Sequence, residues 1–135
     1  MSVWKGLLSV VNDTINTILS YKVPGVQRGT YSYIDAGGEQ TVDILATADR
    51  HYIKSIWLDL INMTQDGNIK LYYKIDGTTF REFASYDFTV LTDSDGVLID
   101  CGFGIEANLK ITYEEGADEG AARDIPYEID YDKEE

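Results

Sequence analysis

Carboxylates are the commonest reactive groups in this chain, and their spacing decides what chemistry they could do. Twenty-four Asp and Glu stand among 135 residues. Two runs look at first like calcium loops: Thr92-Asp93-Ser94-Asp95-Gly96, and Glu114, Glu115, Asp118 and Glu119 with Asp124 beyond. In the first, glycine follows Asp95 directly and the next acid is Asp100, which breaks the ligand order of an EF-hand loop. In the second, solvated turn carboxylates explain the cluster better than a bound ion does. No metal and no cofactor is expected. Nor does carboxylate pairing point to glycoside hydrolysis, because with so many acids any fold brings some pair to a suitable separation. The single histidine, His51, and single cysteine, Cys101, make neither a zinc set nor a disulfide. His51 follows Arg50 at the start of a strand and reads as a surface side chain. Cys101 alternates with Val97 and Ile99 and reads as a small buried apolar residue. Gly102-Phe103-Gly104 lacks the third glycine and the following helix of a dinucleotide fingerprint, and there is neither a nucleophile elbow nor a phosphate loop. The chain reads as a non-enzyme.

Ten tyrosines and two tryptophans are the more informative surplus, since aromatic rings supply contact area with few rotors to freeze. Trp57 and Tyr72 stand out because each falls opposite the regular apolar row of its strand. They are candidates for a surface contact with a protein neighbour or a sugar ring. A second layer of the fold, or an overlying N-terminal helix, would account for them as well.

The formal charge of −13 is unevenly placed. Residues 1–75 hold seven Lys/Arg and seven Asp/Glu, whereas residues 76–135 hold four against seventeen, which is the whole excess. A surface of that sign repels phosphate backbones and anionic headgroups, so neither nucleic acid nor membrane is expected as a partner. No stretch approaches the roughly eighteen apolar residues of a membrane span. Nor does the start of the chain, with a lone Lys5 and an apolar run broken at Asn12-Asp13, make a secretory signal.

The elements that must position these residues follow from periodicity. From Trp4 to Leu19 the apolar residues keep helical spacing, and Trp4, Leu8, Val11, Ile15 and Ile18 step by 4, 3, 4, 3, the seam of a coiled coil. Such a short, β-branched helix needs a partner surface, either its own sheet or other copies of the chain; a homo-oligomer, with a trimer favoured, is expected through these five residues. Pro24-Gly25 stops this element, so the chain divides into an N-terminal helix (residues 1–23) and a β domain (residues 24–135).

Beyond it, His51 to Ile75 predicts two strands joined as a hairpin through Gln65-Asp66-Gly67-Asn68. Tyr52, Ile56, Leu58 and Leu60 share one face of the first strand, with Ile53 and Trp57 opposite. Ile69, Leu71, Tyr73 and Ile75 form the apolar row of the second. Further strands are expected over Thr30–Asp35, Gln40–Ala48, Phe80–Phe83, Asp87–Leu91, Val97–Cys101, Phe103–Ala107, Asn108–Glu114 and Ile125–Tyr131. Pro126 suggests an edge position or the start of pairing for the last. Eight to ten short strands with regular turns predict a mainly β fold, an antiparallel β-sandwich or jelly roll with a short N-terminal helix.

In this layout the stretches LYYKIDGTTF (Leu71–Phe80) and EGADEGAARDIPY (Glu115–Tyr127) resemble small β-sandwich structural proteins of tailed bacteriophage and related viral particles. The resemblance implies a virion component made in the host cytoplasm, such as a head decoration, fibre or tail-associated subunit. It further implies a multimer that contacts other particle proteins, without cofactor or catalysis. A carbohydrate-binding module is the main competing reading, since it shares the sandwich and the aromatics.

Overall fold

A computed structural model describes residues 23–34, 38–47, 49–93 and 95–134. The helix expected over Trp4–Leu19, with its seam of Trp4, Leu8, Val11, Ile15 and Ile18, lies outside the described residues. Those residues form eight strands: β1 (Val23–Tyr33), β2 (Gln40–Leu45), β3 (His51–Asp59), β4 (Gly67–Tyr73), β5 (Arg81–Phe88), β6 (Gly96–Ile105), β7 (Leu109–Glu115) and β8 (Arg123–Lys133). They make two four-stranded sheets, ordered β1-β8-β3-β6 and β2-β7-β4-β5, and every pairing is antiparallel. Only β4 and β5, among consecutive strands, share a sheet.

One apolar core lies between the sheets. Ile53, Ile56 and Ile129 from the first sheet and Ile69, Leu71 and Ile111 from the second are fully buried within it. Each such side chain contributes roughly 1.5–3 kcal/mol relative to exposure. The alternation read from the sequence holds where it is cleanest. Ile125 and Ile129 point inward from β8 while Glu128 and Asp132 pair with Arg28 and Lys54 outside.

The hairpin is corrected. β3 and β4 are both strands, but they belong to different sheets, and the connection between them is a crossover. Gly67 and Asn68 are already in β4, so no two-residue turn exists there. Instead residues 60–66 bridge the two sheets, with Leu60 and Met63 buried as part of the core. This crossover is clamped by Glu119. Its buried carboxylate accepts from Thr64 N at 2.7 Å, Gln65 N at 2.7 Å and Thr64 Oγ1 at 3.1 Å, with the Arg123 guanidinium 3.6 Å away. Pairing of Gly67 with Glu115 then sends β4 alongside β7.

A register shift between Ile53 and Ser55 explains the untidy alternation of β3. Against β8 the strand carries one extra residue here, while β6 carries one more than β3, so Ile53 and Ile56 both face inward although they are three apart. Tyr52 therefore lies on the outer face and not with Ile56 and Leu58. His51 is not a surface residue: it is 9% exposed, with Nδ1 2.8 Å from Thr47 Oγ1 and its ring 4.8 Å from that of Tyr131. Ile75 lies beyond the end of β4 and is 69% exposed. Two pairs of expected short strands are single strands, β5 and β6, the latter continuing through Gly102 at a φ of 120°.

Both prolines sit inside strands. Pro24 and Gly25 belong to β1, opposite Asp132 and Tyr131, and the element expected to end at them lies outside the described residues. As an edge strand, β1 tolerates a missing N–H. Gly25 is needed because a Cβ there would overlap the Tyr131 ring. Of the two places expected for Pro126, the edge is not the one found, since β8 lies between β1 and β3. It stands at the start of pairing with β3, one residue before Tyr127, which pairs with Leu58.

Candidate contact surface

Trp57 and Tyr72 sit on the outer faces of opposite sheets, so the fold does not bring them together. Trp57 projects from β3 and is 47% exposed. In the register it stands between Leu98 of β6 and Glu128 of β8, and Glu128 in turn faces Arg28 of β1. Arg28 and Glu128 form an ion pair. Leu98 is 51% exposed and Ile61, in the following loop, 60%. Both line a shallow groove of about 390 Å³ on one side of the indole, with Asp59 and Asp95 at its rim. A second groove of about 300 Å³, between Trp57 and Pro126, lies on the other side.

The indole is held in place. Its Nε1 donates to Ser55 Oγ at 3.1 Å, and that hydroxyl donates to Asp130 Oδ2 at 3.1 Å. With its only polar group satisfied inside the chain, Trp57 presents a purely apolar face outward.

Tyr72 is in the opposite condition. Its hydroxyl donates to Glu39 Oε1 at 2.5 Å, and Thr112 Oγ1 donates to the same oxygen at 2.8 Å. The Lys110 ammonium stands 4.5 Å from the Tyr72 ring centroid and 4.7 Å from that of Phe80. The hydrogen bond to Glu39, followed by burial, pushes the Tyr72 phenol up to about 12. The same bond from Tyr72 lowers the Glu39 carboxyl. Hydroxyl and ring are both engaged within the chain, so the half-buried Tyr72 presents less free apolar surface than Trp57.

The remaining reactive groups have local duties. Cys101 is half-buried, and burial pushes its thiol up to about 11, away from reactive thiolate character. Carboxylates of the two acidic loops accept backbone N–H groups: Asp93 from Thr89 at 2.8 Å, Asp118 from Gly120 at 2.9 Å and Glu115 from Glu119 at 3.0 Å. Of the five acids in the second loop, Glu119 is turned inward as the crossover clamp. Sequence reasoning placed it among solvated carboxylates and missed that duty. It also missed Leu98 and Ile61, although Leu98 stands out of phase with Val97, Ile99 and Cys101, as Trp57 does in β3.

No protein-family model matches the chain, and no curated protein matches it. Among solved structures it is similar to a protein of the Bacillus endospore appendages, described as disulfide-linked pili, with 13% identity and a TM-score of 0.48 over 82% of this chain and 89% of that one. It is also similar to the Yersinia pseudotuberculosis-derived mitogen, with 12% identity and a TM-score of 0.46 over 84% and 89%. The VP2 subviral particle of infectious bursal disease virus gives 16% identity and a TM-score of 0.43, over 82% of this chain and 32% of that one.

Proposed function

We propose that this chain is a non-enzymatic structural protein: a jelly-roll subunit, assembling with copies of itself and with other proteins of a particle, of which a tailed-phage virion is the type that its sequence resembles. The observation that carries the reading is the ridge formed by Trp57, Leu98 and Ile61. Three large apolar side chains, each about half exposed or more, stand together on a rigid sheet, with the indole N–H already satisfied. Clustered exposed apolar surface with a polar rim is characteristic of protein contacts. The jelly-roll assignment is supported by the strand order, in which the chain changes sheet at every connection but one. An acidic exterior suits a subunit that must stay soluble when crowded.

Sedimentation of the full chain tests this. The expected result is a concentration-dependent homo-oligomer at micromolar concentration, a trimer being favoured by the sequence. A monomer throughout that range overturns self-assembly. A carbohydrate-binding module is the second reading, favoured by one feature: Trp57 is a fixed flat indole between two grooves rimmed by Asp59 and Glu128. Glycan-array binding that disappears in Trp57→Ala would support it, whereas binding to no glycan leaves protein contact as the use of the ridge.

A further inference from the structure

A sheet edge is a row of unpaired backbone groups, and natural proteins blunt theirs with proline, charge or bulges. Among the described residues, three of the four edge strands are blunted. β1 contains Pro24, and β2 and β5 each carry a register shift, β5 with Arg81, Glu82 and Asp87 besides. The first half of β6 is not. Its residues 96–100 pair regularly with β3, have no second neighbour among the described residues and hold one charge, Asp100. We infer that this half-strand is an interface between two copies of the chain, β6 pairing antiparallel with β6 of the second copy about a two-fold axis at Leu98. The inference rests on the self-assembly reading and names its surface.

The backbone is turned the right way. Leu60 N donates to Asp95 O at 2.7 Å, which extends the β3–β6 ladder by one pair. Hydrogen-bonded pairs alternate along an antiparallel ladder, so Val97 and Ile99 bond to β3, while Gly96, Leu98 and Asp100 aim their N–H and C=O groups at the open side. A second β6 centred on Leu98 takes up all three: Leu98 pairs with its own copy, and Gly96 with Asp100 in both directions.

Side chains select the centre. Opposite residues of an antiparallel pair lie on the same face, so a two-fold axis sets one residue opposite its own copy. A centre at Asp100 opposes two carboxylates, one at Ile99 sets Asp100 against Leu98, and one at Cys101 spans the register shift that follows Asp100. A centre at Leu98 places Asp100 opposite Gly96, Val97 opposite Ile99 on the inner face, and Leu98 opposite Leu98 on the outer one. The apolar row of Trp57 and Leu98 then continues into that of the second copy, from β3 across both β6 strands to β3. Phe83 and Tyr86 of β5 add exposed apolar surface on this side of the sandwich, where Phe83 packs edge-on against Phe103 of β6. Asp59 of one copy and Asp100 of the other stand two strands apart, about 10 Å, where salt screens them.

Cysteine cross-linking in the full chain tests both the partner and the register. In a Cys101→Ser background, Leu98→Cys sets two thiols opposite each other across the axis, about 5.5 Å apart at Cα and within disulfide reach. Asp100→Cys sets them four residues out of step, at least about 13 Å apart. Mild oxidation at micromolar concentration is expected to give a covalent dimer from Leu98→Cys at least about tenfold faster than from Asp100→Cys. Leu98→Asp should weaken association at least about thirtyfold with its thermal melt unchanged; should it not fold, the cross-linking pair decides. Equal cross-linking at both positions, or at neither while the wild-type chain associates, overturns the inference and leaves self-assembly standing. So does an exclusive trimer in sedimentation, because a two-fold contact makes even-numbered assemblies. A wild-type chain that is monomeric overturns both.

Discussion

The two outer faces of the sandwich spend an aromatic residue in opposite ways. On the β2-β7-β4-β5 sheet, Tyr72 is drawn into a network with Glu39, Thr112 and Lys110 that satisfies its hydroxyl and sets an ammonium against its ring. On the β1-β8-β3-β6 sheet, Ser55 satisfies the Trp57 indole from the side and leaves its face bare beside Leu98. An exposed ring whose polar group is satisfied within the chain keeps an apolar face suited to contact. Trp57 has more of that surface than Tyr72.

The contrast presupposes that β3 and β4 lie in different sheets, and the largest predicted effects test that arrangement. Ile56→Ala and Leu71→Ala each empty a fully buried site, one per sheet, and each should cost about 2–5 kcal/mol in chemical denaturation. A loss below about 1 kcal/mol at either would mean that its strand face is assigned wrongly. Glu119→Ala should cost about 3–5 kcal/mol, because it leaves two backbone N–H groups and Arg123 without their buried acceptor. Near-wild-type stability would show that the crossover is not held by this clamp.

A paired substitution sharpens the contrast itself. Tyr72→Phe should lower stability by about 0.5–1 kcal/mol and leave association unchanged, since it removes one hydrogen bond from a partly exposed network. Trp57→Ser should shift stability by less than about 1 kcal/mol while weakening association. Equal effects of the two on association, read by sedimentation, would erase the distinction between the faces.

A smaller effect appears at high pH. With the Tyr72 phenol raised to about 12, the folded state favours its neutral form over the unfolded chain, where tyrosine titrates near 10. That stabilisation is complete below pH of about 10 and is lost as the pH rises through about 12. Unfolding measured across this window should lose stability less steeply in Tyr72→Phe; an unchanged slope would remove Tyr72 from the linkage. Glu39 behaves in the other sense. Its lowered carboxyl stabilises above the ordinary carboxylate range, and that contribution is lost on acidification. The smallest expected effect is that of a chelator, which should leave Tm unchanged; a fall of several degrees on calcium removal would make an acidic loop an ion site.

Strand period was legible in the residues because it is local: successive side chains in an extended backbone point to opposite faces whatever lies beyond. Ile69 with Leu71, Ile125 with Ile129, and the acidic outer row of β8 could be read directly, and so could the exposure of Trp57 opposite its row. Pairing was not legible. Gln65-Asp66-Gly67-Asn68 has the composition of a hairpin turn, and only the distant Glu119 carboxylate and the β7 edge send β4 into the other sheet. The bulge at Lys54 likewise depends on the pairing with β8, against which β3 carries one extra residue, and it sets Tyr52 outward. Local backbone geometry determined which side chains alternate; contacts between residues far apart in the chain determined which strands meet, which acid is buried, and which aromatic stays bare.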